Sequence, residues 1–155
     1  MSLESVRAFF ADHAPDVKVI ELPTSTATVG LAAAAHGVTP GQIAKTLSMR
    51  IGEKIILVVT RGDARLENRK IKAAFGGKAR MLASDEVEVL TGHPVGGVCP
   101  FGLATPLPVY CDVSLKAFEE VIPAAGATHS AVRIPPARLV ELADAAWVDV
   151  CQDVG

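Results

Sequence analysis

The sequence predicts a mixed α/β domain, with one curved, barrel-like mixed sheet and flanking helices. Three observations carry this expectation. Helical and strand-like periodicities alternate along the chain. The strand-like runs are short and unequally spaced, which suits a curved sheet. No repeat, low-complexity tract or linker interrupts the 155 residues, so residues 1–155 read as a single domain with a sizeable core.

Ser2 is placed to cap a first helix whose apolar face is Leu3, Val6, Phe9 and Phe10. Asp16 to Leu22 reads as a strand. A turn at Ser25 to Thr28 caps a second helix, Val29 to His36, which Gly37 stops. Thr39-Pro40-Gly41-Gln42 has the Thr-x-x-Gln capping-box form, with proline at the first helical position. The short helix it starts gives way to a strand from Lys45 to Ile51. Gly52-Glu53 turns the chain into a nearly all-apolar strand, Lys54 to Thr60, expected to be covered on both faces. A loop from Arg61 to Arg65 leads to a helix from Glu67 to Phe75, ended by Gly76-Gly77. Ala79 to Leu82 forms a short strand, and Ser84-Asp85-Glu86 opens a helix with acids at its positive end. After a glycine-rich segment come a strand (Val109 to Val113), a helix capped by Ser114 and a strand (Ser130 to Ile134). A helix begun by Pro135-Pro136 and a strand from Trp147 to Cys151 finish the chain.

Composition excludes several classes. The mean hydropathy is high, +0.35, but the apolar run Ile55 to Val59 is far shorter than the ~18 residues a membrane span needs. Met1-Ser2-Leu3-Glu4-Ser5 shows no basic region leading into an apolar core, so no secretory leader is expected. The net charge of −2 argues against a general affinity for nucleic acid, so an RNA contact needs a local patch and DNA is not an expected partner. Cys99, Cys111 and Cys151 form no C-x-x-C pair, which favours a reducing cytoplasm. No His or Cys spacing suits a metal, and no cofactor motif is present.

The segment Val95-Gly96-Gly97-Val98-Cys99-Pro100-Phe101-Gly102 is the strongest chemical signal. Adjacent glycines let backbone amides approach a ligand, and the following proline stiffens the segment. Amides preset in this way form an oxyanion hole; a bulge or tight turn is the bland alternative. Lys45, at a helix–strand junction, is either a surface cation near a helix end or an ammonium that polarises a carbonyl or holds a phosphate. Cys99 reads either as a nucleophile or as a small hydrophobe in a tight loop. His129 is a candidate base or substrate contact, or a loop histidine in water. His13, His36 and His93 read as ordinary helix-end or loop residues. Arg61, Arg65, Arg69, Lys70, Lys72, Lys78 and Arg80 form the basic cluster, diluted by Asp63 and Glu67. It is either a solvated ion-paired face or a phosphate-backbone contact.

Gly41-Gln42-Ile43-Ala44-Lys45-Thr46-Leu47, the Gly-Gly-x-x-Pro-x-Gly form of Gly96 to Gly102 and, more loosely, Gly126 to Ile134 together carry a resemblance. Over about Val6 to Val150, the chain resembles the YbaK/ProX-type aminoacyl-tRNA deacylases. These are free-standing relatives of the editing domain inserted in bacterial prolyl-tRNA synthetases. The resemblance implies their mixed, barrel-like fold and hydrolysis of the ester that joins a wrong amino acid to tRNA, without a cofactor. It implies that Lys45 orients the terminal adenosine and ester, and that Gly96 and Gly97 contact the ester. The tRNA's own 2′-hydroxyl and a water supply much of the remaining help. Thr46, Val98, Cys99, Pro100, Phe101 and Gly102 become expected substrate contacts, with His129 and Ser130 carried over loosely. Cys99 stands where many relatives have serine or threonine. The implied partner is a mischarged aminoacyl-tRNA, with tRNA-Pro bearing a small amino acid favoured, and an associated synthetase such as prolyl-tRNA synthetase. The alternatives are a non-catalytic aminoacyl- or nucleotide-binding module of the same fold and a Cys99-dependent hydrolase.

Overall fold

A computed structural model describes residues 2–153. The side chain of Ser2, expected to cap the first helix, lies outside what is described. Helix α1 spans Ser2–His13. Its Val6 and Phe10 are buried in a core shared with Leu57, Val59, Phe101, Leu115 and Leu139. The chain continues through β1 (Ile20–Glu21), α2 (Val29–His36), a single 3-10 turn at Pro40–Gln42, β2 (Ile43–Ile51) and β3 (Lys54–Arg61). Then follow α3 (Asn68–Phe75), β4 (Ala79–Met81), α4 (Ser84–Thr91) and β5 (Val109–Asp112). A 3-10 helix at Val113–Ala117, β6 (Ile122–Pro123), β7 (Ser130–Ala131), α5 (Pro136–Leu142) and β8 (Ala146–Val148) complete it.

The main sheet has six strands in the order β4-β2-β3-β5-β8, with β6 also paired to β2. β2–β3 is an antiparallel hairpin, whereas β5 runs parallel to β3 and β8 parallel to β5. Strand alternation divides the apolar run of β3 between two cores. Leu57 and Val59 enter the α1 core; Ile56 and Val58 enter a second core with Met49, Ile71 and Val150. That explains why the run is apolar at every position. Helix α2 begins at Thr28, whose hydroxyl accepts from the Leu31 amide at 3.2 Å, and ends at left-handed Gly37.

Several expectations are corrected. The sheet is open rather than barrel-like: β4 and β8 are its edges, and with three residues each they are too short to carry the ladder round. The Asp16–Leu22 strand shrinks to Ile20–Glu21, paired with β7 in a separate two-stranded sheet. Its front end is taken by other contacts, Asp16 by Arg138 and the Val17 amide by the Ala14 carbonyl. The Thr39 capping box makes no side-chain bond, because the chain enters β2 after one turn. The helix expected at Ser114 is a 3-10 segment, capped by Asp112 accepting from the Ser114 amide at 3.0 Å. Of the expected strands at 130–134 and 147–151, only the first residues of each pair regularly; Ile134 and Cys151 make isolated bridges.

The feature that positions a site is a gap in the sheet. On the side of β2 away from β3, β6 pairs with Ile43 and Ala44, and β4 pairs with Met49 to Ile51. Among the described residues, no strand pairs with the intervening stretch, Lys45 to Ser48, along this edge; Leu82 donates its amide to the Ser48 carbonyl at 3.1 Å.

Candidate active site

A cavity of about 310 Å³ opens along this gap. That is at the lower end of the size range for small-molecule sites. Its walls come from four directions. Lys45, Thr46, Leu47 and Ser48 contribute the strand edge, and Val29, Ala32 and His36 one face of α2. Their i, i+3, i+7 spacing puts those three on a single stripe. Met81, Leu82, Ser84 and Val87 close one end, and Gly96, Val98, Ala124 and Ser130 the other.

The Gly96 end is knitted from three loops. The Thr26 amide donates to the Thr128 carbonyl at 2.6 Å, and the Gly126 amide to the Gly97 carbonyl at 3.0 Å. Both glycines are explained sterically. Gly96 sits at φ +92°, and a Cβ there would lie 2.8 Å from the Cβ of Ala27. A Cβ on Gly97 would lie 2.8 Å from the backbone carbon and nitrogen of Ala127. The close approach that the glycine pair predicts is therefore to neighbouring backbone, a packing need not anticipated from sequence. The Gly97 amide donates to the Pro94 carbonyl at 2.8 Å. The amides of Gly96 and Val98 make no hydrogen bond among the described residues, and both residues line the cavity.

Lys45 lines the cavity, but its ammonium donates to the carbonyls of Gly62 at 3.2 Å and Ala64 at 2.7 Å. Burial lowers its pKa, partly offset by nearby Cys151 and Asp63. Thr46 also lines the cavity, and its hydroxyl is buried with no partner among the described residues. Ser130 lines it too, with its hydroxyl oxygen accepting from the Ala127 amide at 3.1 Å.

The rest of the glycine segment turns away. Cys99 is 0% exposed, its sulfur 3.6 Å from His93 Nε2 and from the Phe101 carbonyl. Burial pushes the thiol pKa up to about 12. Such a thiol is not ionised at neutral pH and does not border the cavity, which leaves the cysteine-hydrolase alternative without a ready nucleophile. Pro100 is buried, and Phe101 packs its ring 4.7 Å from Phe10 and 5.4 Å from Phe9. Gly102, at φ +59°, accepts the Ser5 hydroxyl at 3.0 Å. His129 lies outside the cavity lining, with Nε2 3.4 Å from Glu21 Oε1. The basic cluster divides: Arg61 pairs with Asp63 and Lys70 with Asp149, whereas Arg65, Arg69, Lys72, Lys78 and Arg80 are exposed without an ion pair among the described residues. The α2 wall is new relative to the sequence reading. His36 was expected as an ordinary helix end, yet it lines the cavity with a buried, unpartnered Nε2; the spacing Val29, Ala32, His36 was the available signal.

The sequence and the fold are similar to those of known proteins. The model of the aminoacyl-tRNA editing domain matches residues 24–142. The chain therefore belongs to the aminoacyl-tRNA editing domain family. It is 49% identical over 155 residues to the uncharacterized protein YwhH of Bacillus subtilis, covering 99% of each. It is 32% identical over 119 residues to the proline–tRNA ligase of Bacillus licheniformis, matching 76% of this chain and 19% of the ligase. A solved structure described as a candidate trans-editing enzyme for prolyl tRNA synthetase superposes with a TM-score of 0.90 at 35% identity, covering 98% of both chains. Among the described residues, no helix is long and apolar enough to cross a membrane.

Proposed function

We propose that this protein is a cytoplasmic trans-editing hydrolase that deacylates mischarged tRNA, with tRNA-Pro carrying a small wrong amino acid as its substrate. The observation that carries the reading is the cavity at the β2 edge, a small, mostly apolar space lined by Gly96 and Val98, two residues whose amides are unbonded among the described residues. Water attacks the ester carbonyl, and the tetrahedral oxyanion is received by these amides. The bond to the ribose oxygen then breaks, and that oxygen takes a proton relayed through the neighbouring 2′-hydroxyl. The amino acid and free tRNA leave. The Thr46 hydroxyl, unpartnered among the described residues, is left for the substrate to engage. Lys45 holds the strand edge through Gly62 and Ala64 and exchanges those carbonyls for the terminal nucleotide when substrate is bound.

Size supplies the selection. Alanine, serine, cysteine, threonine and 2-aminobutyrate suit a small enclosed pocket. A methylene difference discriminates by only about 1–3 kcal/mol, so a second sieve is needed where a synthetase admits such residues. Similarity to prolyl-tRNA ligases supports prolyl-tRNA synthetase as the enzyme whose errors are corrected. One observation favours a second reading. The Lys45 ammonium is already satisfied by carbonyls, as expected of a non-catalytic module that binds an aminoacyl or nucleotide ligand. Incubation with charged tRNA separates the two: the hydrolase releases free amino acid over many turnovers, and the module only protects the ester.

A further inference from the structure

We infer that Arg80, opposite Arg50 at the end of the cavity's strand floor, is a binding site for a phosphodiester of the substrate's single-stranded 3′ end. The inference rests on the editing reading for the identity of the nucleic acid. It begins with register. Arg50 of β2 lies directly opposite Arg80 of β4. Residues directly opposite in an antiparallel pair share a face, and alternate residues of one strand share a face. Arg50 and Arg80 therefore stand on the same face as Thr46 and Ser48, which line the cavity. Helix α4 covers this face: Ser84 and Val87 line the cavity, and Glu86 Oε2 receives Arg50 Nη2 at 2.8 Å.

Two like charges directly opposite each other destabilise a strand pair. Glu86 answers only one of them. Arg80 is exposed and has no ion pair among the described residues. The excess cation stands just past Ser48, at the opposite end of the cavity from Gly96. With the ester at Gly96 and the terminal nucleotide at Lys45, the preceding nucleotides continue along β2 past Ser48, where the exposed Arg80 guanidinium stands. A planar guanidinium suits bidentate contact with phosphate oxygens.

The test is binding of a 5′-fluorescein CCA trinucleotide RNA, followed by anisotropy across a salt series. Compared with wild type, Arg80→Ala is expected to weaken binding about fivefold or more. It should also reduce the log–log salt slope by about 0.7, the loss of one single-strand phosphate contact. Glu86→Gln, which frees Arg50 from its acid, is expected to tighten binding. Lys18→Ala, at an exposed position before β1, should change nothing, and adenosine, which has no phosphate, should bind wild type and Arg80→Ala alike. Because Arg80 is exposed and like-charged with its neighbour, the variant should melt at or above the wild-type temperature. Equal affinity and slope for Arg80→Ala and wild type would overturn the inference, as would failure of the wild type to bind CCA. A wild type that binds CCA with the Arg80-dependent slope but hydrolyses no charged tRNA supports the phosphate site and removes the hydrolase reading instead.

Discussion

Replacing Lys45 with alanine removes an ammonium that donates to the Gly62 carbonyl at 3.2 Å and the Ala64 carbonyl at 2.7 Å. Ala64 is 2% exposed, so water compensates little for the loss there. Hydrogen bonds from a charged donor contribute about 1.5–3 kcal/mol each. Burial of the ammonium, the main cause of its lowered pKa, offsets part of that gain. A net cost of about 2–4 kcal/mol follows, which lowers the melting temperature of a chain this long by about 5–15 °C. In the proposed reaction, the same change removes electrostatic positioning of the nucleotide and lowers single-turnover deacylation by about 10²-fold or more. Calorimetry and deacylation at a temperature where the variant is folded read the two effects separately. An unchanged melting temperature would refute the bonding account. A rate within about threefold of wild type, in folded protein, would remove Lys45 from the catalytic machinery.

Other perturbations follow from the same geometry. Gly96→Ala places a side chain at φ +92° against Ala27, and Gly97→Ala drives a Cβ into the Ala127 backbone; each should cost about 1–3 kcal/mol, and normal melting of either variant would contradict the packing described. The turnover of whatever folded Gly96→Ala remains should also fall, because this residue lines the cavity. Cys99→Ser should keep activity within about threefold, since the buried thiol faces His93 and Phe101 rather than the cavity; loss beyond about 10²-fold in folded protein would reinstate a nucleophilic cysteine. Asp16 is held at a pKa of about 2, below its ordinary 3.8, by its hydrogen bonds from Arg138. A depressed carboxylate stabilises the fold above pH 3.8, and that contribution is lost as the pH falls through about 2. Titration of the Asp16 carboxyl by NMR should show the low value and its return toward normal in Arg138→Ala; equal values in the two proteins would refute the pair.

The element pattern was legible where local signals and tertiary environment agree. The Thr28 cap and the Gly37 and Gly76 stops each have a short-range cause that survives in the fold, and the apolar run Ile55 to Val59 of β3 is covered on both faces as its composition implies. The misreadings fall where partners distant in sequence decide. The strand expected from Asp16 begins late because the Val17 amide turns back to the Ala14 carbonyl, and whether the sheet closes depends on edge strands too short to carry a strong periodic signal. At the site, the Lys45 and Gly96 stretches announced themselves, but side-chain direction did not. Strand alternation and the Gly62–Ala64 loop send the Lys45 ammonium to backbone carbonyls, and past the turn at Val95–Gly96 the chain carries Cys99 and Phe101 into the core. The Arg50–Arg80 opposition was invisible because it depends on which elements meet across the β2 edge, and His36 showed only as part of the Val29, Ala32, His36 stripe.

The most direct test of the central claim is multiple-turnover hydrolysis by the wild-type protein of tRNA-Pro and tRNA-Cys charged with alanine, serine, cysteine, threonine, 2-aminobutyrate or proline. The account predicts release of at least one small amino acid from tRNA-Pro well above the spontaneous rate, with prolyl-tRNA-Pro left intact. Folded protein that leaves every one of these esters at its spontaneous rate would contradict it.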